Sequence, residues 1–226
     1  MRARTPGGNR PRRGPPRPGA HHQRTAGEPA VSAALVSIVG APASGKTTLA
    51  EYLAAEMPAT LLREDYAGNP FLADSCAGRA EARLPGQLYF LMSRVAQLNE
   101  SHWPADGVVV TDYGFCQDAI FARLRLGADD LRLYERIARR VGGLVHPPAV
   151  LVLLEAPPEV LLERIARRGR DFEKTLTAAF LSEIAEAYNT AVAEARCPVL
   201  RVDCHAQDLR RQDCRAELVH RIRENL

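Results

Sequence analysis

Directly behind the apolar run Leu35-Val36-Ser37-Ile38-Val39 stands Gly40-Ala41-Pro42-Ala43-Ser44-Gly45-Lys46-Thr47-Thr48. An apolar run of this kind, closed by a glycine, reads as a strand buried on both faces. Gly40 and Gly45 permit a tight loop whose backbone N–H groups turn inward, and a helix beginning near Gly45 adds its positive N-terminal end. The spacing is G-x-x-x-x-G-K-T. In that pattern residues 40–48 cradle nucleotide phosphates, Lys46 reaches the β/γ-phosphates and Thr47 ligates Mg²⁺. A plain glycine-rich turn would need neither the lysine nor the threonine. The segment therefore implies a bound nucleoside triphosphate, taken as ATP, together with Mg²⁺.

The rest of the chain supplies a matching scaffold. Apolar runs at 34–39, 59–63, 107–111, 149–155 and 198–202 alternate with helical periods at 45–56, 84–101, 116–126, 129–142, 157–168, 174–195 and 207–224. Such alternation predicts an α/β fold: a five-stranded parallel sheet with helices on both faces and right-handed crossovers, of the P-loop NTPase type. Ligands then bind beyond the carboxyl ends of the strands. Four polar clusters fall there: the loop after 39, Glu64-Asp65, Asp112 and Asp203.

Composition narrows the class. Residues 1–32 hold seven arginines against one glutamate, a formal +6 within a chain total of +3, leaving the remainder at −3. The arm, rich in Arg, Pro and Gly, has almost nothing apolar to bury and is expected to be disordered; residues 33–226 form the folded domain. An arm that binds nucleic acid or acidic lipid weakly, a solvated tail and a misassigned start are alternatives for it. The acidic remainder argues against a nucleic-acid surface on the core. No run of about 18 apolar residues is present to span a membrane. Cys76, Cys116, Cys197, Cys204 and Cys214 show no C-x-x-C pairing and read as reduced thiols of a cytoplasmic protein, several of them in the core. Of 30 basic side chains, only Lys46 and Lys174 are lysines, so the ammonium of the phosphate loop stands out.

Around the phosphates, Val108-Val109-Val110-Thr111-Asp112 is an apolar strand ending in the carboxylate that would hold Mg²⁺ with Thr47. A strand-terminal Asp also caps turns. Arg164 and Arg168 share a helix face, and Gly169 lets Arg170 turn back toward the same space, so the segment 164–174 reads as a lid whose guanidiniums stabilise charge on the transferring phosphoryl group. Glu64 leaves the second strand toward that point, where a carboxylate can accept a hydroxyl proton. Gln87 and Arg94, two helical turns apart, interrupt an apolar face of Leu84, Leu88, Leu91, Val95 and Leu98. A nucleobase edge or a salt bridge to Asp118 would satisfy them.

These segments, in this order, resemble the deoxynucleoside kinase family: the phosphate loop; Arg63-Glu64 with Asn69-Pro70-Phe71-Leu72; Leu84 to Arg94; Asp112 to Ala122; and Arg164 to Glu173. The likeness spans roughly residues 34–190. It implies that Glu64 is the general base at the 5′-hydroxyl and that Gln87 pairs with the base edge. It also implies that Arg94 and Asp118 close the base pocket, that Glu173 reaches the sugar 3′-hydroxyl, and that Arg164, Arg168 and Arg170 contact phosphates. Two positions depart from the pattern. Where the family often has Asp/Glu-Arg-Ser, this chain has Asp112-Tyr113-Gly114, and a frequent Tyr eleven residues before Gln87 is Cys76. The expected activity is ATP-dependent phosphorylation of a purine deoxynucleoside or deoxycytidine, in nucleotide salvage, by a homodimer or by a hetero-oligomer with a related subunit. Two alternatives stay open at this point: a weakly catalytic nucleotide-binding subunit, and a kinase for another small acceptor such as a nucleoside monophosphate.

Overall fold

The computed structural model describes residues 33–226; the arm at 1–32 lies outside the described residues. Five parallel strands form one sheet: β1 (Ala34–Gly40), β2 (Thr60–Leu62), β3 (Val108–Thr111), β4 (Val150–Glu155) and β5 (Val199–Asp203), in the order β2-β3-β1-β4-β5. The central strand β1 pairs with β3 (Val36 opposite Val110) and with β4 (Val36 opposite Val150). Its alternate side chains explain the largely apolar run. Val36 and Ile38 enter a core under α1 (Lys46–Glu56) and α8 (Gln212–Arg223), while Val39 faces α6 (Pro158–Arg168) and α7 (Ala178–Ala193). Leu35 packs with Leu98, Val109 and Tyr113. Both faces are thus covered, as continuous apolar strands require.

A helical layer beside β2 and β3 carries the remaining elements: α2 (Leu72–Cys76), α3 (Ala80–Gln97), α4 (Cys116–Arg125) and α5 (Ala128–Val141). Leu91, Val95, Ala122 and Tyr134 form the shared core of α3, α4 and α5. Among the described residues no helix is long and apolar enough to cross a membrane.

The five strands match their sequence positions, and several helix boundaries do not. Helix α3 starts at Ala80 rather than 84, because Gly78 (φ 91°) ends the preceding turn and Arg79 is extended; Pro85 lies inside the helix. It stops at Gln97, after which Asn99 caps a short 3₁₀ turn through its side chain. Helix α7 begins at Ala178 because the Thr177 hydroxyl accepts from Phe180 N. Helix α8 begins only at Gln212: Asp203 and Asp208 first take the backbone N–H groups of His205, Ala206 and Arg210 into turns. The five-residue α2 is too short to show a period in the sequence. Of the cysteines, Cys204 is buried in one core cluster, and the half-buried Cys116 and Cys197 pack against another.

Candidate active site

The loop leaving β1 has the backbone its sequence requires. Gly40 (φ 143°), Ala43 (φ 63°) and Gly45 (φ 108°) all take positive φ. A Cβ on Gly40 would sit 2.4 Å from the Leu154 carbonyl oxygen, so no other residue fits without displacing β4. The Lys46 ammonium donates to the carbonyls of Gly40 (2.9 Å) and Ala41 (3.0 Å), holding the loop in a ring. Burial lowers its pKa to about 8, against the pull of the Asp112 charge, while Arg168 lowers it further. The Thr47 hydroxyl donates to Asp112 Oδ2 at 2.6 Å, so the two oxygen ligands expected for Mg²⁺ are already adjacent. Hard oxygen donors of this kind suit that ion.

Asp112 also links the donor side to the acceptor side. Its Oδ1 accepts from the backbone N–H of Glu64 at 2.8 Å. The Glu64 carboxylate is buried in a polar cluster. Its Oε1 takes the Arg94 guanidinium and, at 2.9 Å, the Gln117 side-chain amide; Gln117 in turn accepts from the Tyr188 hydroxyl at 2.9 Å. The second guanidinium nitrogen of Arg94 pairs with Asp118. Burial pushes the Asp118 carboxyl above its ordinary range, and Arg94 opposes that shift. The rings of Phe90 (5.2 Å) and Tyr113 (5.5 Å) lie against the same guanidinium.

The lid folds over the site. Gly169 takes the left-handed conformation (φ 69°) that ends α6. Arg168 pairs with the buried Glu173, which Arg170 approaches at 3.9 Å. Arg164 reaches the carbonyl oxygens of Ser44 (3.4 Å) and Cys204 (2.9 Å), joining the phosphate loop to the turn after β5. Phe172 stacks on Tyr66 at 6.2 Å, and Arg170 covers both rings.

One cavity of about 760 Å³ runs through these parts. Loop residues, Arg164 and the turn at 204–210 line one end; Glu64, Gln87, Arg94, Gln117 and Phe121 line the other. Gln87, Arg94 and Glu173 line this cavity as buried polar residues; Asp118, equally buried, is paired with Arg94 and does not line it. Two strand-end carboxylates are elsewhere. Asp65 is engaged by Gly68 N and the Tyr89 hydroxyl, and Asp203 caps its own turn. Sequence reasoning missed Tyr66, Gln117, Arg125, Phe172 and Tyr188. Arg125 lines the acceptor end, its guanidinium lying 5.5 Å from the Phe121 ring and 3.6 Å from Cys76 Sγ. Tyr66, two residues past Glu64, was the most accessible signal.

A parallel sheet with a phosphate loop on its central strand, an acid at the end of the adjacent strand and an arginine lid defines a phosphotransferase of the P-loop class. The deoxynucleoside kinase family model matches residues 36–226, and the chain belongs to that family and is a kinase. It is similar to the deoxyguanosine kinase of Bacillus subtilis (strain 168), 29% identical over 185 residues, covering 78% of this chain and 89% of the relative. It is also similar to the deoxyadenosine kinase of Dictyostelium discoideum, 28% identical over 175 residues, covering 74% and 71%. Among solved structures, deoxyadenosine kinase from M. mycoides with products dCMP and a flexible dCDP bound shares the fold, with a TM-score of 0.73 at 17% identity, covering 84% of this chain and 99% of that one.

Proposed function

We propose that this chain transfers the γ-phosphoryl group of ATP to the 5′-hydroxyl of a purine deoxynucleoside or deoxycytidine, with Mg²⁺, as a step of cytoplasmic nucleotide salvage. The observation that carries the reading is the position of Glu64. Its backbone is tied to Asp112 beside the phosphate loop, and its side chain shares one buried cluster with Arg94 and Asp118. A carboxylate at that junction can orient an acceptor oxygen toward the γ-phosphate and take its proton.

The other roles follow from placement. Residues 40–48 hold the phosphates through backbone N–H groups and Lys46, which exchanges its two loop carbonyls for phosphate oxygens. Thr47 and Asp112 hold Mg²⁺, which when bound supplies Lewis-acid stabilisation of phosphate charge. Gln87, Arg94 and Asp118 offer donors and acceptors to a base edge, with the Phe90 ring beside them. Glu173 faces the sugar. Arg164, Arg168 and Arg170 bring positive charge over the phosphates and exclude water when the lid is shut. Residues 33–226 form the catalytic domain and 1–32 a separate arm. A homodimer or a hetero-oligomer with a related subunit is the proposed assembly.

The test is turnover of a nucleoside panel with ATP and Mg²⁺. Deoxyadenosine, deoxyguanosine or deoxycytidine should yield the 5′-monophosphate. Binding of ATP without phosphorylation of any of the three contradicts the assignment.

A further inference from the structure

The position after Asp112 raises a question of support. A general base must be held in one orientation, and the arginine that the family pattern puts at residue 113 is here a tyrosine. Tyr113 does not replace it. Its ring is fully buried and its hydroxyl donates to Gln97 Oε1 at 2.8 Å, away from the carboxylate. The next residue shows why the local backbone resists the usual pattern: a Cβ on Gly114 would lie 2.5 Å from Val39 Cγ1.

Glu64 is nonetheless pinned, and by one oxygen only. Arg94 and the Gln117 amide both donate to Oε1, while Oε2 is buried with no protein partner. A primary amide can present either its oxygen or its nitrogen to a neighbour. Here the Tyr188 hydroxyl donates to Gln117 Oε1 and so turns the Nε2 donor toward Glu64. Burial keeps the Tyr188 phenol protonated well beyond its ordinary range, so it remains a donor throughout the working pH range.

We infer that Gln117 and Tyr188 form a positioning relay from α7 through α4 that fixes the general base and leaves Glu64 Oε2 free for the acceptor hydroxyl. Neither residue touches the reacting atoms; both act through Glu64. The relay rests on the kinase assignment for its catalytic consequence, but its existence does not.

The experiment therefore has two arms on the full chain. In the first, unfolding free energies are measured without substrate for Tyr188→Phe, Glu64→Gln and the double variant. A relay predicts non-additivity, with Tyr188→Phe costing less once Glu64 is neutral. Strict additivity overturns the relay whatever the enzyme acts on. In the second arm, Tyr188→Phe should lower kcat about 2- to 10-fold, as loss of one neutral hydrogen bond implies. Gln117→Leu, which removes a bond to a charged group, should lower it about 10- to 100-fold, again with nucleoside KM changed less than about 2-fold. In a Glu64→Gln background neither substitution should reduce residual turnover further. Unchanged kcat, an effect confined to KM, or an equal loss in the Glu64→Gln background overturns the positioning role. Non-additive stability in a chain that phosphorylates none of the deoxynucleosides keeps the relay and rejects the substrate assignment.

Discussion

Replacing Arg94 by leucine tests the electrostatic design of the site. The guanidinium side chain is 5% exposed, and its two partners, Glu64 and Asp118, are 2% and 3% exposed. Removing the cation leaves two buried carboxylates without their counter-charge. Breaking a buried pair in this way costs about 3–5 kcal/mol. For a domain of this size each kcal/mol lowers Tm by about 2–4 °C, so Arg94→Leu should melt roughly 6–20 °C below the parent. The cost should depend on pH. Asp118 already has a raised folded-state pKa through burial, with Arg94 opposing the shift; without Arg94 it rises further. A carboxyl whose folded pKa exceeds its unfolded pKa loses stability as pH climbs from the unfolded value to the folded one. The gap between variant and parent should therefore widen from acid toward neutral pH. Urea unfolding at several pH values measures it. The variant carrying Arg94→Leu, Glu64→Gln and Asp118→Asn removes all three charges and should recover most of the loss, because a neutral buried set lacks the unpaired ions. A triple variant as unstable as the single one would refute the charge account. The loss would then belong to the packing of Arg94 on Phe90 and Tyr113.

Other consequences are separate measurements. Glu64→Gln should lower kcat about 10²- to 10⁴-fold while ATP binding, followed by calorimetry, stays within about 2-fold of the parent. Lys46, with a folded pKa of about 8 against an ordinary 10.5, is charged below that pH and neutral above it. ATP affinity should accordingly fall as pH rises through about 8, while stability of the nucleotide-free chain rises between about 8 and 10.5 because the unfolded chain binds the extra proton there. Affinity that is flat from pH 7 to 10 contradicts that reading. Phe172→Ala removes the stack on Tyr66 and a face for Arg170. It should raise nucleoside KM about 2- to 10-fold and raise the ratio of ATP hydrolysis to transfer, read by comparing phosphate release with nucleotide product.

Strand positions were legible because burial on both faces leaves a mark in the sequence itself. Val36 and Ile38 meet one helical layer and Val39 another, and the one polar residue among them, Ser37, is buried with its hydroxyl accepting from Thr111. The phosphate loop was legible because its backbone needs Gly40 and Gly45 at fixed spacing. Helix starts were less so, since they turn on single side-chain caps such as Thr177 or on turns organised by Asp203 and Asp208. Within the site, the Arg94–Asp118 pair followed from two buried polar positions that had to find partners. Gln117 and Tyr188 left no such mark. They are 71 residues apart, and only the packing of α7 against α4 brings amide and phenol together. The Arg94–Glu64 contact was hidden for a similar reason: it joins the end of β2 to α3, 30 residues further on.

The most direct test of the kinase assignment is a crystal structure of the chain with deoxyadenosine and a non-hydrolysable ATP analogue. The 5′-hydroxyl should lie within hydrogen-bond distance of Glu64 Oε2, with the base edge on Gln87 and Asp118 and the triphosphate in the loop at 40–48. A nucleoside whose 5′-hydroxyl points away from Glu64, or whose base sits beside the turn at 204–210, would contradict it.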